Sequence, residues 1–252
     1  MHRFFVAPDQ IREKYITITG GDVHHINRVL RLNVGDQIII TDGEGWEYLT
    51  QITSQSLQLV EARILEGAVS SQEPPIDVFL LQGIPKGEKM ELLIQKCTEI
   101  GMKKLIPIQM KRSIVKLSSE KEEKRRERWQ RVATEAAKQS QRAVIPPIMP
   151  VCDLASALQQ LPPGTTLIMP WEEETHTGLK ACFSSWPAIP GPIALLIGPE
   201  GGISSEEAQL AMEWGAHKIS LGPRILRTET AGMVALSIIL YELGDLGGKR
   251  DQ

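Results

Sequence analysis

Ile193-Ala-Leu-Leu-Ile-Gly-Pro-Glu-Gly-Gly-Ile-Ser-Ser-Glu-Glu207 decides the fold. An apolar run fit for a buried strand meets a glycine-bearing turn, and Ser204 with Glu207 then opens a helix as a capping pair. Lys218-Ile-Ser-Leu-Gly-Pro-Arg-Ile-Leu-Arg-Thr-Glu-Thr-Ala-Gly232 repeats the plan about two dozen residues on. In an open α/β sheet, turns leaving the carboxyl ends of neighbouring strands converge on one crevice, where ligands bind. Glu200 sits mid-turn, where its carboxylate would repel a phosphate, and neither G-x-G-x-x-G nor G-x-x-x-x-G-K-[ST] is present. The expected pocket suits a nucleoside-like ligand that lacks phosphates and carries positive charge.

Outward from this point, strand and helix alternate. Buried strands are expected at 76–81, 105–108, 166–169, 194–197 and 219–221. Helices are expected over 86–100 with Gly101 as C-cap, 120–141 with a Ser119/Glu122 capping box, 204–215 and 229–243. Alternation of this kind implies an α/β fold with a parallel sheet covered by helices on both faces. The last helix has almost no polar side, so it should be buried by the core and a second subunit together.

The first 70 residues differ in texture. Gln37–Thr41 ends at the turn Asp42-Gly43-Glu44-Gly45, and 48–52 and 57–64 follow as alternating segments. This is the pattern of a small antiparallel barrel or sheet. A short helix is expected over 22–31, with Asp22 as N-cap, and 67–75 reads as a linker. The domains are then 1–70 and 74–248.

Composition bounds the function. With 42% hydrophobic and 23% charged residues the chain has the make-up of a soluble globular protein. No apolar run is long enough for a membrane helix, and the N-terminus turns polar too soon for a signal peptide. Cys97, Cys152 and Cys182 have neither metal-ligand spacing nor a disulfide pattern, so no metal and a reducing cytoplasm are expected. The net charge of −3 is unevenly spread: 73–150 carries 16 basic and 10 acidic side chains, whereas 151–252 carries 6 and 12. A basic middle on an acidic chain is compatible with a polyanion partner.

Four motifs together resemble the SPOUT class of RNA methyltransferases, and within it the bacterial enzymes that methylate N3 of a uridine in small-subunit (16S) ribosomal RNA. They are Leu81-Gln-Gly-Ile-Pro-Lys-Gly-Glu-Lys-Met-Glu91, Glu135-Ala-Ala-Lys-Gln-Ser-Gln-Arg142, Ile197-Gly-Pro-Glu-Gly-Gly202 and Leu221-Gly-Pro-Arg-Ile-Leu-Arg-Thr-Glu-Thr-Ala231. The resemblance implies a trefoil-knotted methyltransferase domain, a PUA-like N-terminal β-barrel, a homodimer and S-adenosylmethionine as methyl donor. It also implies a 16S rRNA substrate, naked or in the assembled small subunit. The cofactor agrees with the pocket read from the turns, since it is an adenosine with a sulfonium cation and no phosphate.

The residues expected to bind the cofactor are Met169, Pro170, Trp171, Ile197, Gly198, Pro199, Glu200, Gly201, Gly202, Leu221, Gly222, Ile225, Leu226, Arg227 and Thr230. Those expected to meet RNA are His25, Arg28, Arg31, Lys86, Arg112, Gln139, Ser140 and Arg142. Arg142 and Arg227 are candidates to stabilise charge on the uracil, with Glu229 or water as proton acceptor. Two other functions stay open at this point: a ribose 2′-O-methyltransferase of the same fold, and an RNA-binding protein without catalysis.

Overall fold

The structure, a computed structural model, describes residues 1–115, 119–184, 186 and 191–248. It divides into two compact units, Met1–Glu73 with Ala137–Ile145, and Pro74–Ala136 with the chain from Pro146 onward.

In the larger unit, β6 (Val78–Gly83), β7 (Lys104–Ile108), β8 (Thr166–Pro170), β9 (Ile193–Ile197) and β10 (His217–Ile219) form one sheet in the order β10-β8-β9-β6-β7. Every pairing in it is parallel. All residues of β6 and β9 are buried, which explains their unbroken apolar runs: a parallel sheet is covered on both faces. Side chains alternate between the two covers. Val78 and Leu80 join one core with Met90, Leu93 and Ile94 of α2 (Lys89–Ile100) and Leu236, Ile239 and Leu240 of α7 (Thr228–Glu242). Phe79 and Leu81 join another with Leu154 and Leu158 of α4 (Leu154–Gln159) and Ala208 and Ala211 of α6 (Ser205–Glu213). Each fully buried Leu or Ile contributes about 1.5–3 kcal/mol, so these two cores, not helix propensity, fix the elements.

The expected parallel sheet with helices on both faces is therefore observed. Gly101 ends α2, and Ser204 and Glu207 close a reciprocal capping box on α6. The helix expected over 120–141 is α3 (Ser119–Gln139), with Trp129 buried; the capping box expected at its start involves the Ser119 side chain, which lies outside the described residues. Two short helices, α4 and α5 (Leu179–Ser184), fall outside the expected ones. The knot is implied by the family resemblance and is not a matter of strand order.

The N-terminal unit is a five-stranded sheet, in the order β1-β3-β4-β5-β2, built from β1 (Arg3–Phe5), β2 (Tyr15–Thr19), β3 (Gln37–Thr41), β4 (Trp46–Gln55) and β5 (Leu59–Val69). Ile16, Ile18, Ile38, Ile40, Ile52 and Val60 make its core. Three expectations need correction. Gly67, Ala68 and Val69 are not linker but pair with Tyr48, Glu47 and Trp46, so the ladder outweighs their small side chains. The helix over 22–31 is a short α1 (Gly21–His24) running into a π-helical turn, His25–Leu30. Gly20, not Asp22, is its N-cap: its φ of 73° suits glycine.

Candidate functional site

β9 and β10 are not the expected neighbours but flank β8, and the turns after all three strands together enclose a cavity of about 880 Å³. Pro170, Trp171, Ile197, Gly198, Pro199, Glu200, Gly202, Leu221, Gly222, Ile225, Leu226 and Arg227 all line it, as expected for a ligand site. Met169, Gly201 and Thr230 are not in its wall. Met169 is wholly buried in the sheet core, and Gly201 faces elsewhere: a Cβ there would lie 2.9 Å from the Cβ and carbonyl oxygen of Arg112. The glycine at 201 thus lets the 198–202 turn pack on Arg112, whose Nη1 also donates to the Gly201 carbonyl at 3.2 Å.

Two further glycines shape the turn. Gly202 has φ of 74°, and its amide closes the turn onto the Pro199 carbonyl at 2.9 Å. Gly83, at the end of β6, lies against it, for a Cβ on Gly83 would lie 2.6 Å from Pro199 Cδ. Thr228 ties the second motif to the first: its hydroxyl donates to the Gly198 carbonyl at 2.6 Å and accepts from Gln82 Nε2 at 2.8 Å.

The charges of the wall are ordered. Glu172, Glu174 and Glu200 supply carboxylates, and Lys89, Arg224 and Arg227 supply cations. Glu200 accepts from the Lys86 amide and from Lys89 Nζ at 2.8 Å. Burial pulls its carboxyl upward, but Lys89 and the amides of Glu200 and Lys86 outweigh that and hold it below the ordinary carboxylate range. The hydrogen bond that Lys89 donates to Glu200 raises the lysine, against its desolvation and the charge of Arg227. Glu229 stands 3.7 Å from Lys89 but is not in the cavity wall. Lys218 Nζ lies 5.1 Å from the centroid of the Trp171 ring, a cation–π contact on a residue of the wall.

The RNA candidates fall into two sets. Lys86 and Arg112, both exposed, belong to the larger unit. His25, Arg28, Arg31, Gln139, Ser140 and Arg142 belong to the N-terminal unit, because Ala137–Ile145 is part of it. Lys138 Nζ is 3.8 Å from Asp22 Oδ1, which brings this segment beside the His25–Leu30 turn. His25, Arg28, Arg31 and Gln139 are exposed there, whereas Ser140 is half-buried. Arg142 is 3% exposed, and its guanidinium is paired at 2.6 Å with Glu73, which also accepts from the amides of Ala143 and Val144. A charge held this way organises its own segment.

Lys89, Gln82, Gly83, Thr228, Glu172 and Glu174 escape a reading of motifs by residue type. The signal for the first three lay in the 81–91 motif, where Lys86 drew the attention.

The RNA methyltransferase domain family matches residues 72–240, and the RNA methyltransferase PUA domain family matches residues 18–65. The Ribosomal RNA small subunit methyltransferase E of Bacillus subtilis is 41% identical over 98% of this chain and 99% of its own. The protein of the same description from Synechocystis is 35% identical over 94% of this chain and 77% of its own. Among solved structures, a Ribosomal RNA small subunit methyltransferase E from Neisseria gonorrhoeae, bound to S-adenosyl methionine, superposes with a TM-score of 0.81. It is 31% identical and covers 97% of this chain and 99% of its own. No helix among the described residues is long and apolar enough to cross a membrane.

Proposed function

The chain belongs to the RNA methyltransferase family, and from that premise we infer that it methylates small-subunit ribosomal RNA, with S-adenosylmethionine as donor, at N3 of one uridine. The observation that carries this reading is the cavity itself. Most of its lining comes from the turns 197–203 and 220–228, its apolar members include Ile197, Ile203 and Leu221, and Glu172, Glu174 and Glu200 bring negative charge to it.

The residues fit the cofactor. A Cβ on Gly198 would lie 2.9 Å from Ile203 Cγ1, and one on Gly202 would lie 3.3 Å from Glu172 Oε1, so the turn keeps its tight course only with glycine. Backbone of 197–202 and 221–226 would hold an adenosine, and the three carboxylates complement a sulfonium. When bound, the cofactor supplies a methyl group already activated for transfer. The protein must then position the base and manage one proton. Uracil N3–H is a weak acid, mostly intact at neutral pH, and its lone pair is available only once that proton leaves. N3 lies on the Watson–Crick edge, so the uridine must be unpaired or flipped out. Arg227, exposed in the cavity wall, is placed to offer positive charge to the uracil carbonyls. Arg142 serves as a positioning residue for the RNA-binding segment 137–145.

The N-terminal unit is the RNA-binding part in this reading. Phosphates would meet the exposed Arg28 and Arg31 of this unit, and Lys86 and Arg112 are exposed basic groups of the larger unit by itself. The enzyme acts in the cytoplasm as a homodimer. Tyr241 at the end of α7, with the half-buried Val234, and the 87% exposed Ile225 give apolar surface for a second copy. The knot is carried over from the family.

The test has two parts. Calorimetry with S-adenosylmethionine should give saturable one-site binding. Mass spectrometry of ribosomal RNA from a strain lacking the gene, with and without complementation, should place the lost methyl on a uracil base. A methyl on a ribose oxygen, or no cofactor binding, would overturn the reading.

A further inference from the structure

Lys89 opens α2 with its side chain in the cavity wall, 29% exposed. Carboxylates from two separate elements hold it. Glu200 Oε1, on the turn after β9, is at 2.8 Å, and Glu229 Oε2, in the first turn of α7, is at 3.7 Å. An ammonium has three donors. Glu200 takes one. At 3.7 Å the Glu229 contact is an ion pair too long for a hydrogen bond, and Glu229 Oε2 is a buried oxygen with no hydrogen-bond partner. Fixing a lysine costs side-chain entropy, which two carboxylates oppose here. The result is a fixed ammonium, kept charged by Glu200, with donor capacity left at the cavity.

We propose that Lys89 is a catalytic residue, whose ammonium donates to a uracil carbonyl oxygen and stabilises the imidate formed when N3 loses its proton. This rests on the reading of the chain as a uracil-N3 methyltransferase. The proton leaves to water. The N3 electron pair then forms the new N–C bond, while the C–S bond breaks and leaves its pair on sulfur. Negative charge peaks on the uracil oxygens just before transfer, and Lys89 faces it. Glu229, outside the cavity wall and 3.7 Å from Lys89 Nζ, acts through that lysine as a positioning residue instead of accepting the proton.

The experiment compares wild type, Lys89→Met and Lys89→Arg on small subunits reconstituted with ordinary RNA or with RNA carrying 5-fluorouridine, whose N3–H is more acidic. Removing a preorganised donor of this kind lowers turnover on the order of 10²-fold. Lys89→Met should show such a loss on ordinary RNA, a clearly smaller loss on the fluorinated RNA, and near-normal cofactor affinity by calorimetry. Lys89→Arg should retain most turnover; Lys89→Gln replaces Lys89→Met if the latter does not fold. Wild-type turnover in the neutral variant, or equal losses on the two RNAs, would overturn the role of Lys89. Absence of N3-methyluridine from the wild-type product would instead overturn the underlying function, so the two failures are distinguishable.

Discussion

Replacing Gly83 by alanine tests whether the end of β6 sets the position of the 198–202 turn. The new Cβ would lie 2.6 Å from Pro199 Cδ, 2.7 Å from Pro199 N and 2.8 Å from Met110 Sδ, where ordinary contact begins at 3.4 Å. The methionine can swing away, but the proline nitrogen is backbone. The turn must therefore retreat by roughly 0.8 Å, and overpacking of this kind costs about 1–3 kcal/mol. For a chain of this size each kcal/mol lowers Tm by about 2–4 °C. A shift approaching 1 Å at a positioned site also costs on the order of 10²-fold in rate. Scanning calorimetry should show a Tm lower by several degrees, and titration with S-adenosylmethionine should show affinity down about tenfold or more. Gly87→Ala is the control. Its φ is 63° and nothing lies within 4 Å, so it should cost about 1 kcal/mol of backbone strain and leave affinity intact. A folded Gly83→Ala protein with wild-type cofactor affinity would refute the argument.

Arg142→Ala should cost about 3–5 kcal/mol in a denaturant titration, since it leaves Glu73 without its buried partner; an unmoved midpoint would remove Arg142 from its structural role. Glu200 is held below the ordinary carboxylate range despite its burial, so the folded protein protonates it at lower pH than the unfolded chain does. Its contribution is complete above the unfolded value and fades as pH falls through the lowered one, so Glu200→Gln should flatten the acid side of the stability profile. Parallel acid limbs would show that Glu200 gives none of it. If the proposed homodimer uses this surface, Tyr241→Glu should give a monomer by light scattering at micromolar concentration, whereas a dimer in that variant would place the interface elsewhere.

Local chemistry made half of this legible. The run 193–197 could only be a buried strand, and Ser204 with Glu207 could only open a helix, because both signals lie within a few residues. Much of the wall of the cavity followed, since turns leaving the same end of one parallel sheet open on one crevice, although β8 stands between the two motif strands. What stayed hidden depends on distant partners. Gly83 matters because of Pro199, and Lys89 because of Glu200 and Glu229, none of which its own motif reveals. Gly67 to Val69 look like a linker until Trp46 to Tyr48 pair with them. Gly201 packs its open side on Arg112, a partner that its own motif does not reveal.

The segment Ala137–Ile145 has a consequence for how the chain is made. Emerging from the ribosome, the first 73 residues complete all five strands of the N-terminal sheet, yet Glu73 must wait about 70 residues of synthesis for Arg142. Until then the carboxylate that will cap the amides of Ala143 and Val144 stays hydrated, and the edge at Gly43 lacks the Ile145 amide that bonds its carbonyl. The unit is therefore finished only after β6, β7 and most of α3 have been translated. A gene cut at residue 73 would encode a sheet without its last strap, and an expression boundary that respects the molecule cannot be drawn with a single cut.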